Sequence, residues 1–393
     1  MQHETTMIGR PTLLVLSNHV YSAAGRKASV HFIADEFLRR GFEVRFVTVG
    51  ASWVTRLKRF GRYETLRSTP SNKWLSQSDC LYSYLHYSGL GPVNMRSGIL
   101  NWLTEPLFVR FGASLLEDVN QHLARATVVL IDSGSAVCFF DYVRSVNNAA
   151  LVVYNAADLL GAVGVHPSLL RLEKKVFDNA DVVRLASAQM AATIPSCGNL
   201  VFAPHGIDKE LFARPVPNPY RGHGPHIVSI GSMLFDSDAV RAVANAASHT
   251  TVHVFGAPWK GKVPPNVILY GERSFKEIVP YLKFADAGLA PYKIGKGQEY
   301  LVQSSLKIKQ YTFCRLPIIA PDTIGWQEKH ICSYSPSDLG TYSLAVSRAL
   351  SMDRGAIDVS SVPGWSDVVD SILNRAPQEK VSRLALIEMS NRS

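Results

Sequence analysis

The run Tyr300-Leu301-Val302-Gln303-Ser304-Ser305-Leu306-Lys307-Ile308-Lys309-Gln310 carries the densest set of phosphate-binding features in the chain. Paired serines ahead of a helical pattern predict a helix over 304–313 whose first amide groups have no partner within the helix. Such an end draws a phosphate through its N–H donors and the positive pole of the helix dipole. Lys307 stands one turn inside and adds a full charge toward the same spot, so a diphosphate leaving group can be neutralised there without a metal. In a purely structural role, the same residues are a capping serine and a surface lysine.

Other candidate ligand contacts stand at the ends of predicted strands. Gly231-Ser232-Met233 follows the strand His226–Ile230 and lets a ligand approach the backbone closely. Glu272 follows Val267–Gly271, where a carboxylate can accept bonds from both ribose hydroxyls. Tyr292, after Ala287–Ala290, can stack on a base. Singly these are a core tyrosine and a helix-start charge; together, at successive strand ends, they point to a nucleotide site.

A second kind of chemistry needs a base. Asp158 ends the segment Tyr154-Asn155-Ala156-Ala157-Asp158, just past the strand Ala150–Tyr154, and can take a proton from an attacking hydroxyl. Asp132 ends the preceding strand and is its rival on identical grounds, while a helix N-cap is the commoner fate of a loop aspartate. His205-Gly206-Ile207-Asp208 lies at a domain junction, where the histidine can reach a ligand and Asp208 can cap the next turn. The histidines show no metal-ligand spacing. Neither a Gly-x-x-x-x-Gly-Lys loop nor a Gly-x-Gly-x-x-Gly after the first strand is present, which counts against ATP and NAD.

The elements that must hold these residues follow from periodicity. Short β-branched runs alternate with helical stretches, the pattern of a parallel α/β sheet. One set of strands runs Leu13–Ser17, Glu43–Val49, Thr127–Asp132, Ala150–Tyr154, Asp181–Leu185 and Leu200–Ala203. A proline-rich stretch (Pro204, Pro215, Pro217, Pro219) reads as the hinge. A second set then begins: His226–Ile230, Val252–Phe255, Val267–Tyr270, Ala287–Ala290 and Pro317–Ala320. At 393 residues the chain exceeds one ordinary core. Two doubly wound, Rossmann-like domains across a cleft are therefore expected: 1–204, 205–375, and a tail 376–393 packing back on the first.

Composition narrows the partners. A formal charge of +9 invites an anionic one, but no helix-turn-helix, zinc finger or RNA-binding aromatic signature supports nucleic acid. Five widely spaced cysteines with no Cys-x-x-Cys pair argue for a reducing compartment. No apolar run of about 18 residues is present, so a membrane would be met only at its surface. The region Ser52–Phe111 fits the α/β scheme least. It crowds aromatics (Trp53, Phe60, Tyr63, Trp74, Tyr82, Tyr84, Tyr87, Trp102, Phe108, Phe111) beside the basic run Arg56-Leu57-Lys58-Arg59-Phe60-Gly61-Arg62, a combination suited to a membrane interface.

Taken together, HFIADEF (31–37), DSGSAV (132–137), LVVYNAAD (151–158), HGID (205–208), IGSMLFD (230–236), YGE (270–272), APY (290–292) and SSLKIKQY (304–311) resemble the GumK-type bacterial glucuronosyltransferases of xanthan synthesis, over about residues 12–375. The resemblance implies a GT-B fold and inverting, metal-independent transfer of glucuronate from UDP-glucuronate to a polyprenyl-diphosphate-linked oligosaccharide. It also implies a peripheral place at the cytoplasmic face of the inner membrane, the first domain binding the acceptor. It puts the catalytic aspartate at Asp158 rather than Asp132, and UDP contacts at Met233, Glu272, Tyr292, Ser304, Ser305, Lys307 and Gln310. Four departures from the family pattern stand out. Asn155-Ala156-Ala157 replaces Arg-Ala-Ser, removing a positive charge; Thr193 replaces a glutamate, Leu306 a methionine and Pro204 a glycine.

The expectation is thus an inverting UDP-glucuronate transferase without metal or other cofactor, with no nucleic-acid partner and an anionic membrane surface nearby. Arg26 and Lys27, beside the first helix start, are expected to hold the acceptor's diphosphate. The alternatives are a transferase of another UDP-sugar, a UDP-sugar epimerase, or a non-catalytic subunit of a polysaccharide machine.

Overall fold

The computed structural model describes residues 10–21, 27–53, 66–89, 91–162, 164–191, 194, 198–222, 224–295, 302 and 305–382. The chain divides into two compact units, Met1–Pro204 with Ser366–Ser393, and His205–Trp365. The sequence reading closes the second domain at 375. The structure assigns the helix segment from Ser366 to the first unit instead, because Arg40 Nη1 pairs with Asp370 (2.8 Å) and Arg40 Nη2 meets the Ser366 carbonyl (3.1 Å). Lys380 continues the attachment, with Asp181 and the Ala150 carbonyl each 2.8 Å from its ammonium.

The first unit is built on β1 (Thr12–Ser17), β2 (Glu43–Ala51), β3 (Trp74–Ser78), β4 (Leu81–Tyr87), β5 (Val128–Asp132), β6 (Leu151–Ala156), β7 (Val182–Leu185) and β8 (Leu200–Phe202), in the sheet order β3-β4-β2-β1-β5-β6-β7-β8. Every pairing is parallel except β3–β4. Strands such as β5 (VVLID) and β6 (LVVYNA) are buried along their whole length, as strands covered on both faces must be, which is why they read as apolar runs rather than alternating ones. The antiparallel β3–β4 ribbon lies in the segment that fitted the α/β scheme least. The sequence reading placed no strand here; the alternation of Tyr82, Tyr84 and His86 with Ser83 and Leu85 in β4 is the signal that could have found it.

The second unit contains β9 (His226–Ile230), β10 (Thr251–Phe255), β11 (Val267–Gly271), β12 (Ala287–Leu289), β13 (Ile318–Pro321) and β14 (Ile331–Tyr334), ordered β11-β10-β9-β12-β13-β14. All pairings are parallel. The order reverses between β9 and β12, and in such sheets ligands bind beyond the carboxyl ends of the strands at the reversal. The first unit reverses in the same way between β1 and β5.

Candidate active site

In the second unit, the loops leaving β9 and β12 meet at the reversal point. Phe235 bridges Tyr292, the Asp236 amide donates to the Pro291 carbonyl (2.8 Å), and the Lys293 amide to that of Leu234 (2.7 Å). Gly231 opens the first loop at φ 80°, a left-handed conformation that favours glycine. Leu234 adopts φ 51° in the same turn, which leaves Met233 partly exposed at its tip.

The helix Leu306–Phe313 begins beside these loops. Tyr311 fastens it: its hydroxyl accepts from the Ile230 amide (3.0 Å) and donates to the Leu289 carbonyl (3.2 Å), spanning β9 and β12. Room for that ring requires Gly288, since a Cβ there would lie 2.5 Å from it. Sequence reasoning missed this pair, although Tyr311 closes the recognised motif.

The serine expected to cap the helix does otherwise. Ser305 occupies the N-cap position without returning its side chain to the helix amides, and its Oγ accepts from the Tyr292 hydroxyl (2.7 Å). Tyr292 is 2% exposed and carries the Lys307 ammonium 4.8 Å from its ring centroid. This corrects the expected stacking role: Tyr292 is a floor that seats Lys307 and holds the first turn, not a base platform. Burial pushes its phenol well above the ordinary tyrosine range. Lys307 is buried beside Gly231, whose hypothetical Cβ would touch its Cε at 3.9 Å, and Gln310 is buried one turn further on. Glu272 lies exposed past the end of β11, at the same carboxyl edge of the sheet. Ser304 lies outside the described residues.

The junction motif splits by role. Asp208 caps the helix Lys209–Ala213 by accepting from the Leu211 amide (3.1 Å), so its carboxylate is spent on structure. His205 lies 6.1 Å from the Trp365 ring. Gly206 is required for packing, because a Cβ there would come within 2.6 Å of the Gly364 backbone.

In the first unit the two rival aspartates separate. Asp132 is 2% exposed, and its oxygens accept from Ser17 Oγ and Asn155 Nδ2, both at 2.7 Å. It is locked beneath the strand ends. Asp158 sits in the loop above, its amide 3.4 Å from Ser133 Oγ, and the capping role is taken elsewhere, since the Leu160 amide faces Glu173 Oε1 (3.4 Å). Burial first, and then the charge of Asp132, raise the Asp158 carboxyl above the ordinary carboxylate range, while His19 opposes both. Glu173 is itself raised to about 7 by burial, with the Tyr154 hydroxyl donating to it (2.7 Å).

A positive charge reaches Asn155 from the neighbouring strand. Arg184 on β7 is fully buried; its Nη1 donates to Asn155 Oδ1 (2.9 Å) and its Nε to the Ala203 carbonyl (2.6 Å). The expected phosphate role of Lys27 meets an obstacle, because its ammonium is paired with Asp35. Arg26 and Thr193 lie outside the described residues.

The aromatic segment sorts into two groups. Tyr84, Phe108 and Phe111 are core, and Arg45 stacks on Tyr82 (3.8 Å) and on Trp74 (5.2 Å). Trp53 and Trp102 are exposed, and on the helix Gly98–Phe111 Trp102 (71%) is joined by Ile99 (74%), Leu100, Leu103, Leu107 and Val109. Sequence reasoning counted the aromatics and overlooked these aliphatics. The basic run 56–62, with Phe60 and Tyr63, lies outside the described residues. No helix among the described residues is long and apolar enough to cross a membrane.

Residues 15–186 match the family model described as glucuronosyltransferase GumK, N-terminal domain. Over 373 residues, 93% of this chain and 90% of that protein, the sequence is 32% identical to a UDP-glucuronate:glycolipid 2-beta-glucuronosyltransferase of Xanthomonas campestris pv. campestris. Among solved structures, the chain is similar to a UDP-forming trehalose-phosphate synthase from Burkholderia xenovorans (12% identity, 98% of this chain and 99% of that one, TM-score 0.54). The trehalose-6-phosphate synthase OtsA matches comparably (12% identity, 96% and 99% covered, TM-score 0.53). So does WaaG, a glycosyltransferase of lipopolysaccharide biosynthesis (13% identity, 97% and 98% covered, TM-score 0.50). At such identities these likenesses establish the fold alone: the two Rossmann-like units are those of the GT-B architecture.

Proposed function

The chain belongs to the GumK glucuronosyltransferase family, and from that premise we propose that it transfers glucuronate from UDP-glucuronate to the sugar end of a polyprenyl-diphosphate-linked oligosaccharide, with inversion, in exopolysaccharide synthesis. The observation that carries the reading is the seat of Lys307. An ammonium held on the Tyr292 ring, at a helix N-terminus and beside a left-handed glycine, stands at the one point of the sheet where its topology opens a crevice. That arrangement suits a diphosphate whose negative charge grows as the glycosyl bond breaks. Met233, Glu272 and Gln310 are the further donor contacts in this reading, with Ser305 at the helix start and Ser304 before it in the sequence. Asp158 takes the proton from the acceptor hydroxyl, and its raised carboxyl suits it as a base.

The transfer is proposed to need no metal, because Lys307 and the helix end supply the neutralising charge. The test is UDP release with UDP-glucuronate, UDP-glucose and UDP-galactose over a membrane lipid extract, with and without EDTA. Release with UDP-glucuronate alone, unchanged by EDTA, is expected, and the product should carry a β linkage by NMR. Preference for another donor would overturn the sugar, and loss of rate with EDTA would overturn the metal-free mechanism.

The same reading places the protein peripherally at the cytoplasmic face of the inner membrane, meeting lipid through the helix Gly98–Phe111. Its exposed Ile99, Trp102, Leu103 and Val109, with Arg96 and Arg110 exposed near its two ends, are the residues of an interfacial helix. The double variant Ile99→Glu, Trp102→Glu is expected to lose flotation with phosphatidylglycerol vesicles while keeping the parent's UDP affinity. Unchanged flotation would refute this surface.

A further inference from the structure

The buried polar groups under Asp158 form one continuous row across the sheet. Strand register sets Ser17 against Thr48, Asp132 against Asn155, and Asn155 against Arg184, and Ser17 Oγ donates to Asp132 across the β1–β5 pair. All five side chains are essentially inaccessible. Hydrogen bonding orders the row from Ser17 to Arg184, while Thr48 Oγ1 turns to the His19 carbonyl (2.8 Å). Arg184 can only donate, so the Asn155 amide turns its oxygen toward the guanidinium and its NH₂ toward Asp132. A buried guanidinium demands a counter-charge. Asp132, with a donor on each oxygen, is that charge, relayed through one amide; burial raises its carboxyl, and His19, the Ser17 and Asn155 donors and the charge of Arg184 work against that rise. Burial lowers Arg184 to about 9, and Asp132 works against the fall, so the guanidinium stays ionised at neutral pH.

The row is tied to the loop above it. The Asn155 carbonyl accepts from the Ser133 amide (3.0 Å) and the Ala157 amide (2.9 Å), and Ser133 in turn holds the Asp158 amide. We propose that the row Ser17–Asp132–Asn155–Arg184 is the positioning device of the reaction: it holds Asp132, the counter-charge of Arg184, one residue from the serine that holds Asp158, so that the base works against a neighbouring carboxylate. The proposal rests on Asp158 being the base. The groups that face Asp158 are Asp132 from β5, His19 from the loop after β1 and Tyr154 from β6. Among the described residues, Glu173 reaches it through Tyr154, and Arg184 through Asn155. Of these, Asp132 alone is an anion clamped from both sides.

The experiment is the pH profile of UDP release from UDP-glucuronate over lipid extract, for the parent, Asp158→Asn, Asp132→Asn and the double variant Asp132→Asn, Arg184→Met. UDP affinity by calorimetry reports folding of the second unit, and thermal unfolding reports that of the whole. Neutralising Asp132 is expected to move the acidic limb of the profile to lower pH and to lower the plateau by less than about tenfold, since a weaker base is left in place. The double variant removes both buried charges together, a change that proteins generally tolerate. It should show the same displacement even if the single variant fails to fold. A lowered plateau with an unmoved limb in the folded variants would mean a merely structural role and overturn the proposal. Parent-like turnover in Asp158→Asn would instead remove its premise.

Discussion

Asp158→Asn is expected to lower turnover roughly 10²–10⁴-fold, the usual worth of a general base, while leaving UDP affinity where it was, because every proposed UDP contact lies in the other unit. Calorimetry with UDP and a UDP-release assay on the same preparation check both halves. In the parent, activity should rise with pH as Asp158 ionises. Burial and Asp132 raise that carboxyl, so the rise should fall above the ordinary carboxylate range, and it should vanish in the variant. Stability gives a second sign. A carboxyl whose folded pKa exceeds its unfolded one binds more protons folded than unfolded between those two values, so stability falls as pH climbs through that window. Asparagine has nothing to ionise. The variant should therefore unfold at an equal or higher temperature than the parent at neutral pH, as expected where a destabilising group is kept for activity. Full turnover in the variant would dismiss Asp158 as the base.

Lys307→Met should fail differently, in affinity as well as rate. A hydrogen bond to a charged partner contributes about 1.5–3 kcal/mol, which corresponds to roughly a ten- to hundredfold loss of UDP affinity. Removing a group that meets developing charge lowers turnover by a further 10²–10³-fold or so. Methionine keeps the stem that packs beside Gly231 and removes a buried ammonium, so the fold should be no less stable. Lys307→Arg should rescue little, because a planar guanidinium does not fit a seat built for a compact ammonium between a tyrosine ring and Gly231. An unchanged UDP isotherm in Lys307→Met would separate this lysine from the diphosphate. The two variants thus divide the reaction: one loses the proton acceptor, the other the leaving-group charge.

Much of this architecture was legible in the residues. Fully buried parallel strands such as β5 and β6 announce themselves as apolar runs. The helix Leu306–Phe313 was read two residues early but from its serines and lysine, and β9 was read with its structural bounds. The weaker readings share a cause. The ribbon β3–β4 is antiparallel and draws on aromatics, so it was taken for interface chemistry. Tyr292 stands at a strand end, where a ring can face either a ligand or its own loop, and only the positions of Ser305 and Lys307 show that it faces the loop. Lys27 looks available until the helix that contains Asp35 is folded beside it.

The sequence by itself determined two parallel α/β units, a helix that starts just after the paired serines and a family, because periodicity, caps and motifs are written between near neighbours in the chain. Tertiary structure alone showed that Asp132 is clamped by Ser17 and Asn155 while Asp158 lies in the loop above, and that a buried arginine meets Asn155. Ser17 and Asp132 are 115 residues apart, Asp132 and Asn155 are 23 apart, and Asn155 and Arg184 are 29 apart. Nothing in their local surroundings links them; the strand order β1-β5-β6-β7 does. A side chain's hydrogen-bond partner in a parallel sheet is set by which strands lie side by side and in what register, and that is settled only when the sheet closes around its core.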